Sequence, residues 1–140
     1  MHRTTTDTPL RRSGQAEGPL ATVVIPTYNH ARYVGEAIRN VLRPDYRPIE
    51  IIVVDDGSTD DTAQVVGEFG ATVCYIRQEN RGLSAARNAG IRLAAGEYVG
   101  LLDADDLYEP HFVSTLVRLL QAHPDAGAIS CGYRFVDESR

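Results

Sequence analysis

Ile49-Glu50-Ile51-Ile52-Val53-Val54-Asp55-Asp56-Gly57-Ser58-Thr59-Asp60 is the stretch on which the fold turns. Residues 49–54 form a short run dominated by Ile and Val, interrupted only by Glu50. Such a near-continuous apolar strand is covered on both faces, as in a parallel sheet, whereas a strand with one wet face alternates. The polarity then changes abruptly. Two acids, a glycine and a serine follow, a turn with Ser58 placed to cap a helix over roughly residues 59–68 and with Asp60 and Asp61 favourable in its first turn.

The same grammar recurs on either side. Ala21–Ile25 is a second β-branched run, stopped by Pro26. Residues 32–42 put Val34, Ile38, Val41 and Leu42 on one helical stripe, with Pro44 just beyond. Downstream, Thr72–Ile76 reads as a strand, and the Ala-rich residues 83–95 read as a helix stopped by Gly96. Glu97–Leu102 is another strand. Pro110 stands in the first turn of a helix whose apolar face is Phe112, Val113, Leu116, Val117 and Leu120, closed by Pro124. Ala126–Tyr133 reads as a fifth strand. Residues 1–19, rich in Thr, Arg, Gly and Pro without periodicity, read as a disordered leader. Strands alternating with helices give an α/β fold, a mostly parallel sheet with helices on both faces. Ligands of such sheets bind at the carboxyl ends of the strands, near a switch in strand order.

Bulk properties narrow the function. The chain has 140 residues, 43% hydrophobic and 24% charged, and a net charge of -5, which argues against a basic nucleic-acid surface. No apolar run reaches the ~18 residues of a membrane span. The polar start lacks a signal-peptide core, so a cytoplasmic location is expected, with membrane association left to a longer parent chain. Cys74 and Cys131 stand far apart in apolar surroundings and read as buried free thiols. All 14 basic residues are Arg, and Lys is absent. That absence excludes a P-loop, which needs Gly-Lys. It also excludes response-regulator switches and haloacid-dehalogenase-like phosphatases, both of which use a Lys.

The polar residues collect where ligands bind. One strand ends in Pro26-Thr27-Tyr28-Asn29, another in Asp55-Asp56-Gly57-Ser58, and a third in Asp103-Ala104-Asp105-Asp106. Crowded carboxylates call for a cation or for donor groups. In an extended Asp103-Ala104-Asp105 both acids point the same way and can face one hard cation, Mg²⁺ or Mn²⁺, that shares its shell with phosphates. The bland alternative is an acidic loop capping the next helix. Asp55 and Asp56 likewise make either a turn or acceptors for a base or ribose. Arg87, with Asn88 beside it at the start of the third helix, suits a diphosphate or is simply solvated.

Taken in order, Val23–His30, Ile51–Thr62, Asn80–Ile91 and Tyr98–Pro110 resemble the N-terminal half of family 2 glycosyltransferases, over about residues 20–136. The resemblance implies a GT-A fold, Rossmann-like and truncated, with residues 20–140 as its nucleotide-sugar-binding portion. It implies an inverting, metal-assisted transfer, of the hexosyltransferase type, from a nucleotide-diphosphate sugar to an acceptor hydroxyl. The acceptor is a glycan, a lipid, a protein or a small molecule. By the same resemblance Pro26, Thr27 and Tyr28 line the nucleobase pocket, and Asp56, with Asp55, holds base or ribose. Asp103, Ala104 and Asp105 match the Asp-x-Asp motif that meets ribose and metal. Arg87 and Asn88 match a segment near the donor. No residue matches the family's general base, expected beyond Arg140, so an inactive fragment is expected. The rival expectation is a non-catalytic nucleotide-binding or interaction domain of the same fold.

Overall fold

The computed structural model describes residues 16–43 and 45–137. Among them the strands β1 (Ala16–Thr27), β2 (Tyr46–Asp55), β3 (Cys74–Arg77) and β4 (Tyr98–Leu101) form one parallel sheet in the order β3-β2-β1-β4. The helices are α1 (Ala31–Val41), α2 (Thr62–Gly67), α3 (Leu83–Leu93) and α4 (Phe112–Ala122).

The strand order explains where the helices lie. From β1 to β2 to β3 the chain steps in one direction along the sheet, and from β3 to β4 it returns past β1. Parallel crossovers are right-handed, so a reversed step must carry its helix over the other face. The core is divided accordingly. Val23, Ile25, Ile51 and Val53 pack with Val34, Ala37, Ile38 and Val41 of α1 and Val66 of α2. The alternate residues Val24, Ile52 and Val54 pack with Ala86 and Ala89 of α3. Side chains of successive strand residues leave opposite faces, which is why one uninterrupted apolar run serves two cores. Complete burial of a side chain such as Ile38, 0% exposed, is worth about 1.5–3 kcal/mol. Gly90 lets α3 sit close on the sheet, since a Cβ there would overlap Val24 Cγ1. At the other end of the sheet α4 places Val117 against Ala21 and Tyr46.

Several expectations are corrected. Ala16–Pro19 belong to β1 rather than to a leader, with Ala16 and Glu17 pairing with Tyr46 and Arg47 at the start of β2; residues 1–15 and Pro44 lie outside the described residues. Pro26 does not stop β1. The Val24 carbonyl points to β4, accepting from the Leu102 N–H at 3.0 Å, and the Thr27 carbonyl points to β2, accepting from the Asp56 N–H at 2.9 Å. Pro26, in phase with Val24, would aim its missing N–H at β4, which has already ended at Leu101. The α3 helix ends at Leu93 because Ala94 turns to ψ 127°, before Gly96 is reached. No strand forms over 126–133: the described sheet offers that segment no partner, and Tyr133 and Phe135 are 86% and 91% exposed. Cys74, on the edge strand β3, and Cys131, in the unpaired segment, are exposed rather than buried.

Candidate nucleotide-sugar site

The switch in strand order falls between β1 and β4, whose carboxyl ends lie side by side. Val24 is in register with Leu101, so Tyr28 and Asp105 each stand four residues beyond a paired position. Tyr28 is 46% exposed, an open aromatic surface at the end of a buried strand. Pro26 and Thr27 just before it are buried, and the Thr27 hydroxyl has no hydrogen-bond partner.

The loops after β1 and β2 are sewn together. Asn29, at φ 54°, donates its N–H to Ser58 Oγ at 2.9 Å and accepts from the Thr59 N–H at 2.7 Å. Asp60 Oδ2 accepts from the Ala31 N–H at the start of α1, and its Oδ1 accepts from the Thr62 N–H at the start of α2, both at 3.0 Å. One carboxylate therefore serves two helix N-termini. Burial would raise its pKa, yet the hydrogen bonds from Thr62 and Ala31 outweigh it and the net shift is downward. These contacts correct the expected cap. Ser58 is committed to Asn29 and, through its N–H at 2.7 Å, to Asp55 Oδ1, so residues 59–61 stay in the loop and the helix starts at Thr62. Asn29, quoted at a strand end, and Asp60, placed in a helix's first turn, were not read from the sequence as the residues that join the two loops. An Asn directly after a strand, able to take a left-handed conformation, was the available signal; Asp60 gave none, since its partner is 29 residues away.

Asp55 and Asp56 are both buried but differ in what they hold. Asp55, 0% exposed, accepts from the Ser58 N–H, the Tyr75 hydroxyl and Arg77 Nη1, all from its own turn and the adjacent strand. Its oxygens are consumed in holding the Gly57 turn. Asp56 accepts from Gln78 Nε2 at 2.7 Å, the Arg81 N–H at 2.9 Å and the Gly82 N–H at 2.8 Å. Burial pushes the Asp56 carboxyl up, and the three donors with the Arg81 charge pull it down further, so its pKa lies below the usual value. Gly82 is the N-cap of α3 and sits at φ 88°, open only to a residue without a Cβ at little cost.

The same helix then reaches the third loop. Arg87 Nη2 contacts Asp103 Oδ1 at 2.7 Å and Oδ2 at 3.0 Å. The α3 helix thus links the acid after β2 to the acid after β4. Asn88, the next residue, is exposed. The acidic segment itself is not extended as expected: the Asp106 N–H donates to the Asp103 carbonyl at 3.0 Å, closing a turn. Burial still alternates, with Leu102 and Ala104 in the α1-side core and Asp103 and Asp105 turned out of it. The Ala104 side chain therefore contributes a methyl to the core. Asp105 is exposed, and no hydrogen bond or ion pair holds it among the described residues.

An exposed, unpaired carboxylate fits a hard divalent cation, which takes oxygen ligands. Among the described residues no group of three His, Cys, Asp or Glu side chains gathers to form a cage. The donor set therefore suits an ion whose remaining ligands are phosphate and water. No helix of the described residues is long and apolar enough to cross a membrane.

Comparison with known proteins agrees with this layout. The chain is 40% identical over 121 residues to an uncharacterised glycosyltransferase of Rickettsia typhi, covering 86% of the chain and 38% of that protein. It is 39% identical to the glycosyltransferase GlyG of Streptococcus pneumoniae, covering 86% of the chain and 41% of GlyG. Among solved structures, the mannosyltransferase PcManGT of Pyrobaculum calidifontis, in complex with GDP-Man and Mn²⁺, superposes with a TM-score of 0.72 at 36% identity, over 83% of this chain and 36% of that one. TarS of S. aureus with UDP-GlcNAc gives a TM-score of 0.65 at 28% identity, over 74% of this chain and 32% of that one. The fold is thus the GT-A fold, and the match spans 38% and 41% of the two curated relatives and 36% and 32% of the two solved chains. The family model for glycosyl transferase family 2 matches residues 22–140, and the chain belongs to that family.

Proposed function

We propose that residues 20–140 bind the nucleotide-diphosphate sugar for an inverting, metal-assisted transfer to an acceptor hydroxyl, with a hexose as the sugar. The observation that carries the reading is the pairing of Tyr28 with Asp105. Both are exposed, and each stands four residues past the paired Val24 and Leu101, on either side of the switch point. Tyr28 offers a ring on which a nucleobase stacks. Asp105 offers free oxygens for a divalent ion, which when bound supplies charge neutralisation of the departing diphosphate. Asp103, steadied by Arg87, is placed to accept hydrogen bonds from a ribose. Asp56 acts indirectly by fixing the α3 N-terminus.

Two complexes among the structural neighbours support the donor class, since one holds GDP-Man with Mn²⁺ and another holds UDP-GlcNAc. None of residues 20–140 takes the acid-base step in this proposal. By this proposal residues 1–140 bind donor without turning it over.

Calorimetric titration of the chain with UDP and GDP, with and without Mn²⁺, tests the binding half. Heat that requires the metal is expected. A flat titration with both nucleotides in Mn²⁺ would sink the donor-site reading and leave an interaction domain in its place. Sugar transfer at native rates by residues 1–140 would overturn the non-catalytic half. Product NMR from the complete enzyme tests inversion, and retention of the donor's anomeric configuration would refute it.

A further inference from the structure

Asn40 lies in the last turn of α1 and is buried, 8% exposed. Its Nδ2 donates to the Tyr108 carbonyl at 3.1 Å, and its Oδ1 accepts from the Tyr108 N–H at 2.8 Å, across 68 residues of sequence. A primary amide carries a donor and an acceptor side by side, the complement that a neighbouring strand would offer to one residue's backbone. Asn is a poor helix former, and its amide would be costly to bury unpaired; here both halves are engaged.

Tyr108 passes the constraint on. Its hydroxyl donates to the carbonyl of Leu101, the last residue of β4, at 2.9 Å. The space for that hydroxyl depends on Gly100, where a Cβ would stand 3.0 Å from Tyr108 Oη. The Tyr108 ring stacks on Phe112 at 4.1 Å and 15°. Burial foremost, then the nearby Cys131 and Asp103, raises the phenol pKa, so the hydroxyl remains a donor. The segment from Leu102 to Tyr108 is therefore pinned at both ends. Leu102 bonds back to Val24 at 3.0 Å, and Tyr108 is clamped by Asn40. The turn carrying Asp103, Asp105 and Asp106 hangs between the two pins.

We propose that Asn40 is a positioning residue: acting through Tyr108, it sets where the Asp103–Asp106 turn sits, without itself contacting donor or metal. The consequence for ligand binding rests on the donor-site reading above, whereas the consequence for the turn does not.

The test compares wild type, Asn40→Ala and Val34→Ala, the last a buried α1 residue of the core that Tyr108 also packs against, which makes no hydrogen bond to Tyr108. Hydrogen–deuterium exchange is read over residues 102–109, and Mn²⁺-dependent GDP and UDP affinity is measured in parallel. For Asn40→Ala, exchange in 102–109 is expected to rise about tenfold while β1 and β2 are unchanged, and affinity is expected to fall about tenfold. Val34→Ala is expected to lower Tm without either change. Asn40→Asp, which keeps the Oδ1 acceptor for the Tyr108 N–H but loses the donor to its carbonyl, should restore part of both and takes the place of Asn40→Ala if that variant does not fold. Exchange in 102–109 no faster than in Val34→Ala would overturn the proposal. If wild type binds no nucleotide, the donor-site reading fails, and the exchange result still decides the role of Asn40.

Discussion

Arg87 and Asp103 meet with one guanidinium nitrogen set between both carboxylate oxygens, at 2.7 and 3.0 Å. The two side chains are 32% and 36% exposed, so solvent screens the pair and its share of stability is small. The pair matters for orientation. Arg87→Met is expected to cost less than about 1 kcal/mol in urea melts. The same change should weaken metal-dependent nucleotide binding about tenfold, as read by calorimetry.

Asp105 makes the opposite case to a buried acid. Exposed and unpaired, its replacement by Asn should leave stability within about 0.5 kcal/mol. The dependence of nucleotide binding on Mn²⁺ should vanish. A variant whose titration with GDP or UDP still responds to Mn²⁺ as wild type does would remove Asp105 from the metal's ligands.

Asp56 holds stability and pH dependence together. Its pKa and that of Asp60 lie below the ordinary 3.8, so each stabilises the folded chain fully at pH well above 3.8. That contribution falls away as pH drops through 3.8 toward the folded values. Melting temperature should therefore be level from about pH 5 to 7 and decline steeply below about 4. Asp56→Asn replaces one carboxylate oxygen by an amide donor, which then faces the N–H of Arg81 or of Gly82. A loss of about 2–4 kcal/mol is expected at pH 7, with a shallower decline in acid.

At Gly90 the margin is steric. The Cβ of Gly90→Ala would overlap Val24 Cγ1 in a core strand, and α3 must shift outward. A loss of about 1–3 kcal/mol is expected by thermal melting. Because α3 also carries Gly82 and Arg87, nucleotide affinity should fall as well. An unchanged Tm would mean that α3 slides freely on the sheet.

Much of this was legible in the sequence, for a definite reason. The runs around Val23 and Ile52 announce buried parallel strands, because only strands covered on both faces are apolar at every position. The α1 stripe and the strand-end acids followed from local spacing. What escaped depends on distant partners. The capping role of Asp60 needs Ala31, 29 residues away, and nothing in Ser58-Thr59-Asp60 says that the serine is already taken by Asn29. Residues 126–133 fail to form a strand because alternation is a capacity that a neighbour must fulfil. The turn at Asp103–Asp106 escaped because an Asp-x-Asp spacing fits both an extended segment and a turn.

The stitching of Asn29, Ser58 and Asp60 gives the cleft an asymmetry. The wall made by the loops after β1 and β2 is preassembled as one piece, held by six hydrogen bonds between Asn29, Ala31, Ser58, Thr59, Asp60 and Thr62. The opposite wall is the Asp103–Asp106 turn, in which Asp105 has no hydrogen bond or ion pair among the described residues. A ligand entering such a cleft meets two walls already held in place, so the ordering cost of binding falls on the Asp105 side chain rather than on the loops.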